Sequence, residues 1–316
     1  MYFEVSGISV SPFIPPLVAF IISFFTSMGG VSGAFLILPF QVSVLGFTSP
    51  AVSSTNQLYN IVAIPSGVYR YIKEGRMVWP LTWIVIFGTL PGVFIGAILR
   101  INYLPNPTHF KIFAGFLLLY IGIKVVLEVI KKKKNNGIQS SEDKFQEMMK
   151  NYKNNASQEN KIKLPRVSVR KFNFSHLIYD FYGETYDVSS YKILIVSFIV
   201  GIVGGAYGIG GGAIMAPIFV AFFRLPVYTV AGAALMGTFI TSIAGVIYYQ
   251  ILSNFYPGLS VAPDWLLGFL FGIGGFAGMY CGARLQKYMP PKIIKWILGI
   301  SITALALNYI RLIFEL

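Results

Sequence analysis

Long apolar runs separated by short polar connections dominate this chain. They cover residues 12–47, 51–72, 78–99, 108–130, 191–223, 226–252, 264–286 and 291–314. Each is long enough for a helix across a hydrocarbon core of ~30 Å, which takes about 20 residues at ~1.5 Å per residue. Barrel strands would alternate polar and apolar residues, and these runs do not. The pattern predicts an all-α integral membrane protein. Two runs carry glycine breaks: GGVSGAFLILP at 29–39 and GGAYGIGGGAIMAP at 204–217. The pieces flanking them, 12–28 with 32–46 and 191–207 with 211–223, fall short of the hydrocarbon core or barely cross it. Each opening segment is therefore expected as two short helices or as a re-entrant hairpin.

The chain reads as a duplication. Sliding the second half over the first by 178 positions pairs Gly30 with Gly208, Gly33 with Gly211 and Pro39 with Pro217. The same shift lays SGVYRY (66–71) on AGVIYY (244–249). Beyond an insertion near 250–263, Trp79 pairs with Trp265, and Gly88, Gly92 and Gly96 fall on Gly274, Gly278 and Gly282. The organisation expected is a first transmembrane repeat at 1–130, a polar loop at 131–190 and a second repeat at 191–316, with the repeated pattern itself running from 12 and from 191.

The loop opens on KKKKNN and holds more Lys and Arg than Asp and Glu, so the positive-inside rule makes it cytoplasmic. Within it, SSEDKFQEMMKNYKNN suits a short surface helix, while VSVRKFNFSHLIYDFYGETYDV has the β-branched and aromatic content of strands. Four plain spans per repeat would put the cluster Arg284, Lys287, Lys292 and Lys295 outside, whereas an opening segment that enters and returns puts it with Arg70, Lys73 and Arg76 on the cytoplasmic side. The second arrangement is preferred. It makes two inverted repeats, each a Gly-broken or re-entrant opening segment plus three transmembrane helices, with both termini external in the cell membrane. Arg100, Lys111 and Arg311 do not fit this rule.

Composition narrows the function. Hydrophobic residues make up 55% of the 316 residues and charged residues 12%, with mean hydropathy +0.67. The net charge of +13 lies partly in the loop and otherwise between spans, so it sets topology and does not point to nucleic acid. The opening MYFEVSGISVSPFIPP has neither a basic n-region nor a cleavage pattern, so the first span is expected to be retained. The single Cys281 leaves no disulfide and no cysteine metal cluster. GIGGGA lacks the βαβ context and the later acidic residue of a dinucleotide site, and no GK[ST] is present for a Walker loop. No cofactor and no metal is expected.

A glycine turn that opens a helix leaves N–H groups unpaired at the positive end of the helix dipole, and glycine lets a ligand approach the backbone. Two such starts, near Ser32 and Gly211, related by the repeat, would form a site for a small anion near the midplane. Its expected backbone members are Gly30, Ser32 and Gly33 with Gly208, Gly210, Gly211 and Gly212. The plainer reading, close helix packing, is accepted for the Gly-x3-Gly runs at 88–96 and 274–282. SSTNQLYN at 53–60 could donate to an oxyanion through Asn56 and Gln57, with Ser53, Thr55 and Asn60 behind them, or could simply bond helix to helix. The matching stretch, AGAALMGT, keeps only Thr238. Asp264 at a span entrance reads as a helix cap. Glu128 reads as a partner of Lys124, and His109 and His176 lie outside span centres, so no proton relay is evident.

At these residues the sequence resembles the TauE/SafE family of membrane anion transporters. GGAYGIGGGAIMAP, GGVSGAFLILP, the SSTNQ that follows, and the paired tryptophan and Gly-x3-Gly helices carry the resemblance, over both halves but not the loop. It implies transport of sulfur-containing oxyanions such as sulfite, or of organosulfonates. The first repeat departs from the pattern at Ser32 and Ala34, where the second has Gly210 and Gly212. An inside-negative potential drives an anion outward by ~2.3 kcal/mol per charge at 100 mV, so export needs only a gated site. The expected function is export of sulfite or a sulfonate by alternating access, with a small anion and the lipid bilayer as partners. Sodium- or proton-coupled uptake is the alternative. A membrane-embedded enzyme ranks below transport because the spans offer no paired carboxylates and no His cluster, and an interaction subunit is suggested only by the loop. A homo-oligomer is compatible with the sequence, which does not specify subunit number.

Overall fold

A computed structural model describes residues 1–28, 31–134, 166–181, 183–212, 214–285 and 291–311. The first half holds β1 (Tyr2–Phe3), β2 (Ile8–Ser9), α1 (Ile14–Met28), α2 (Ala34–Ser43), α3 (Ala51–Lys73), α4 (Trp79–Asn102) and α5 (Pro107–Lys134). The second holds β3 (Ser168–Phe172), β4 (His176–Phe181), β5 (Glu184–Ser189), α6 (Ser190–Tyr207), α7 (Met215–Phe223), α8 (Val227–Leu252), α9 (Trp265–Leu285) and α10 (Pro291–Arg311). Among the described residues, α4, α6, α8 and α9 are each long and apolar enough to cross a bilayer. Apart from its short strands the protein is helical, and its helices follow the apolar runs.

Local chemistry sets the helix ends. Asp264 precedes α9, and its Oδ1 accepts the Leu267 N–H at 3.1 Å, the N-terminal cap the sequence suggested. Pro80 sits in the first turn of α4, where a missing N–H costs nothing. Gly208 closes α6 at φ +82°, a left-handed position that disfavours any side chain. Arg70 and Lys73 lie in the last turn of α3, facing the negative end of its dipole.

Helix pairing is symmetric under exchange of the halves. α4 packs on α6 as α1 packs on α9, α3 on α9 as α4 on α8, and α3 meets α8 while α5 meets α10. The glycines make these contacts close. A Cβ on Gly92 or Gly96 would collide with the carbonyl of Phe198 or Ile202, and one on Gly274, Gly278 or Gly282 with that of Pro16, Phe20 or Phe24. The Gly-x3-Gly faces thus bring backbones into contact. The order of these contacts gives direction: both pairs run parallel, because partner numbers rise together. α3 and α8 run oppositely, since Gln57 faces Gly245, Asn60 faces Ser242 and Gly67 faces Leu235. Gly115 beside Tyr309 and Gly122 beside Thr303 make α5 and α10 antiparallel as well.

Both opening segments reverse direction. After Gly208 the chain returns along α6, so Gly210 lies against Gly204, and Gly211 lies against Thr89, which also touches Gly201. α7 then runs back beside α8, from Gly212 at Ala234 and Thr238 to the corner before Val227. In the first half Gly33 comes back beside Ile22 and Ser23. Each opening segment is built as two helices, α1 with α2 and α6 with α7, and the break between them folds back against the first helix.

The duplication also begins earlier than residues 12 and 191. The strand pair β1–β2 precedes α1 as β4–β5 precedes α6, and the shift of 178 lays buried Phe3 on buried Phe181. These strands are too short to reveal a repeat by periodicity. Both strand regions make a contact across the halves. Ser6 donates from N and Oγ to Asp264 Oδ2 at 3.2 and 2.9 Å, while the Val167 N–H before β3 donates to the Gly75 carbonyl at 3.1 Å. The strand content expected in VSVRKFNFSHLIYDFYGETYDV is present as the antiparallel sheet β3–β4–β5. The expected helix over SSEDKFQEMMKNYKNN lies outside the described residues.

Candidate functional site

The two breaks meet on one helix. α3 starts with SSTNQLYN, polar residues inside an apolar assembly, and every one of Ser53, Ser54, Thr55, Asn56, Gln57, Tyr59 and Asn60 is buried. A buried amide or hydroxyl without a partner costs about 1–3 kcal/mol, so the partners are informative. Asn56 Nδ2 donates to the Ala34 carbonyl at 2.9 Å and to the Gly208 carbonyl at 3.0 Å, one from each break. Its Oδ1 accepts from Gln41 Nε2 at 3.3 Å.

Asn60 makes the same kind of bridge. Its Oδ1 accepts the Ser32 hydroxyl at 2.6 Å, and its Nδ2 donates to the Ile209 carbonyl at 3.0 Å and Ser242 Oγ at 3.3 Å. Tyr59 shares a hydrogen bond with Ser23 at 2.7 Å and touches the space beside Gly33. Ser53 Oγ donates to the Ala206 carbonyl at 3.3 Å. Tyr207 Oη, at the end of α6, donates to the Phe35 carbonyl at 3.1 Å and ties the breaks directly.

Gln57 is the exception. Its Oε1 and Nε2 are fully buried, and neither has a hydrogen-bond partner among the described residues. It lies one turn from Ser53 and about one turn from Asn60 along α3, and it faces Gly245 of α8, where a Cβ would collide with its amide oxygen. The glycine provides the room that this amide occupies.

The remaining expected members are placed as follows. Gly210, at φ +74°, lies 2.7 Å by its would-be Cβ from Ser242 Oγ. Gly211 donates its N–H to Thr241 Oγ1 at 3.0 Å. Gly212 packs on the Ala234 carbonyl, and Thr238 bonds the same carbonyl at 2.8 Å. Gly33 forms the N-cap of α2, whose Leu36 and Ile37 N–H groups bond its carbonyl at 3.0 Å each. Gly30 lies outside the described residues, as does the side chain of Glu128. The structure thus gathers Ser32, Gly33, Asn56, Gln57, Gly208, Gly210, Gly211, Gly212 and Thr238 around the α3–α8 crossing. Each described glycine among them is packed too tightly for a Cβ. Sequence reasoning missed Gln41, Tyr59, Tyr207, Thr241 and Ser242, scattered hydroxyls and amides with no motif around them. Among the described residues no cluster of three or more His, Cys, Asp or Glu could hold a metal.

Apolar spanning helices, paired internal breaks and a buried polar centre define a multi-pass membrane transport protein. A family profile described as "Sulfite exporter TauE/SafE" matches residues 16–309, and the chain belongs to that family. Its relatives include the "Probable membrane transporter protein YunE" of Bacillus subtilis (strain 168), 23% identical over 283 residues, which is 87% of this chain and 88% of that protein. The "Probable membrane transporter protein YdhB" of the same organism is 27% identical over 107 residues, 33% of this chain and 40% of that protein. The "Probable membrane transporter protein MJ0441" of Methanocaldococcus jannaschii is 31% identical over 121 residues, 36% of this chain and 42% of that protein. No solved structure matches the chain.

Proposed function

We propose that this membrane transporter exports a small sulfur oxyanion or organosulfonate, such as sulfite, by alternating access, and that the anion is recognised beside Gln57. The observation that carries this reading is the Gln57 amide, fully buried with both polar atoms unpartnered at the crossing of the two halves. A protein retains two such groups at a cost of about 1–3 kcal/mol each when a ligand will satisfy them. The amide N–H2 donates without adding charge. The antiparallel course of α3 and α8 supports an inverted repeat, in which rocking of the halves exposes one central site to each side in turn. On that reading residues 131–190 and the sheet lie in the cytoplasm, and both termini lie outside the cell membrane.

Export fits better than sodium-coupled uptake. The carbonyls of Ala206, Gly208 and Ile209 that would coordinate a cation already accept from Ser53, Asn56 and Asn60. The membrane potential alone drives the anion outward.

The test is flux of labelled sulfite, methanesulfonate and chloride from proteoliposomes of controlled potential. Saturable sulfite or sulfonate efflux, reduced by Gln57→Leu and abolished by Gln57→Glu, is expected. No saturable flux, or flux indifferent to both variants, overturns the reading. Gly210 and Gly211 are poor probes because any side chain there collides with Ser242 or Thr89.

A further inference from the structure

Arg100, near the end of α4, is completely buried in a helix long and apolar enough to span a bilayer. Its guanidinium donates from Nε to Ser53 Oγ at 3.3 Å, from Nη2 to the carbonyls of Thr48 and Ser49 at 3.2 and 3.3 Å, and from Nη1 to the Leu104 carbonyl. The Phe110 ring covers one face at 3.8 Å. All these partners are neutral, and among the described residues no carboxylate pairs with it. A neutral side chain could hold those carbonyls without carrying a charge into the interior, which is expensive when uncompensated. An intramembrane cation without a counter-ion points to a charged ligand.

Two further observations point to the same place. Ser49 Oγ is buried with no partner, on the residue whose carbonyl Arg100 holds. Ser53, which Arg100 also holds, shares a face of α3 with Gln57 and Asn60, at spacings of four and three residues. A polar stripe therefore runs from the breaks along α3 to the guanidinium, and Tyr249 shares a buried cluster with Ala97 and Ile101, near Arg100 along α4. Arg100 lies at the end of α4 away from the Arg70, Lys73 and Arg76 cluster.

We propose that Arg100, with the hydroxyls of Ser49 and Ser53, forms a second oxyanion site, through which the anion passes between the Gln57 position and the external face. This rests on the reading of the protein as an anion transporter. The anion accepts from the guanidinium and from the Ser49 hydroxyl, and so compensates the buried charge. Arg100, one of the three exceptions in the charge pattern along the chain, then has a reason to stand on that side.

The experiment follows thermal unfolding of the purified full chain against sodium sulfite, with sodium chloride at equal ionic strength as control. Sulfite raises the wild-type midpoint. Ser49→Ala, which removes an idle hydroxyl and folds normally, requires several-fold more sulfite for half the shift. Arg100→Gln requires at least about tenfold more, as the loss of charge-assisted hydrogen bonds implies, while Arg100→Lys stays closer to wild type. Gln57→Leu keeps the Arg100-dependent part of the shift. Equal responses to sulfite and chloride in the wild type overturn the proposal, as does a wild-type response in Ser49→Ala together with Arg100→Gln. Should Arg100→Gln not fold, an unchanged response in Ser49→Ala overturns it alone. Sulfite stabilisation through Arg100 without any flux would sink the transport reading and leave the site. Flux and stabilisation that ignore Arg100 and Ser49 would sink only the site.

Discussion

α3 and α8 occupy equivalent places in the two halves and cross antiparallel at the centre, yet their first turns carry opposite chemistry. α3 presents Ser53, Asn56, Gln57 and Asn60, whereas the matching positions of α8 are Ala231, Ala234, Leu235 and Thr238. The reason lies in what each helix must hold. α3 bonds both breaks through Asn56 and Asn60. α8 approaches the second break so closely that Gly212 rests on the Ala234 carbonyl, so backbone contact takes the place of side-chain bridges there. The helix pairing is symmetric, and one helix holds both breaks through its polar side chains.

The sharpest way to break this comparison is to exchange the small residues at the breaks. Gly212→Ala drives a methyl into the Ala234 carbonyl and should cost more than ~3 kcal/mol, the upper range for overpacking, so that little monodisperse protein survives size-exclusion chromatography. Its counterpart Ala34→Gly should cost only ~1 kcal/mol, the helix propensity of glycine. Equal losses would mean that the two breaks are packed alike.

Removing the bridge comes next. Asn56→Ala leaves the Ala34 and Gly208 carbonyls and the Gln41 amide without their partner, and about 3 kcal/mol of stability should go with it in thermal or denaturant unfolding. Thr238→Ala, which loses a bond only within its own helix, should cost under ~1 kcal/mol. A large effect at Thr238 would show that α8 also holds the site.

Gln57 and Leu235 give the reciprocal test. Gln57→Leu should cut anion flux about tenfold or more, the worth of one hydrogen bond to a charged ligand, while stability stays level or rises by ~1–3 kcal/mol. Leu235→Gln buries an amide and should lower stability by ~1–3 kcal/mol without creating a second route.

The smallest effect concerns the unequal strand pairs before α1 and α6. The Thr185 hydroxyl and the Arg170 guanidinium hold the partly exposed Asp180 carboxyl below its usual range. A depressed folded value stabilises the sheet above the ordinary carboxylate pKa near ~4, and the contribution disappears as pH falls through the lower folded value. Protection factors in β4 and β5, after division by the intrinsic pH-dependent exchange rate, should therefore fall below pH ~4, with no matching change attributable to Asp180 at β1–β2. Protection factors that stay constant with pH would remove the carboxylate from the account.

Much of the frame could be read in the chain itself. Apolar runs are dictated by the absence of water in a bilayer, so they gave the helices, and glycines in matching order gave the duplication and both breaks. The Asp264 cap was readable because capping acts within one turn, and its Oδ1 does meet Leu267. The strand pair at residues 2–9 was not, because two-residue strands leave no periodic signal.

Within SSTNQLYN the sequence marked every residue as unusual and could not rank them. Donors and acceptors of the same type differ only in what faces them, and those partners come from residues such as Ala34, Gly208, Ile209 and Asp264, up to 209 positions away. Sequence alone determined that this is a predominantly helical, duplicated membrane protein with two broken segments, since hydropathy and repetition are properties of the chain. Only the tertiary structure decided that Asn56 and Asn60 clasp the breaks and that, among the described residues, Gln57 is left unpaired beside Gly245 and Arg100 is buried without a counter-ion. Hydrogen-bond satisfaction depends on distant groups brought within about 3 Å, and nothing local to the chain encodes it.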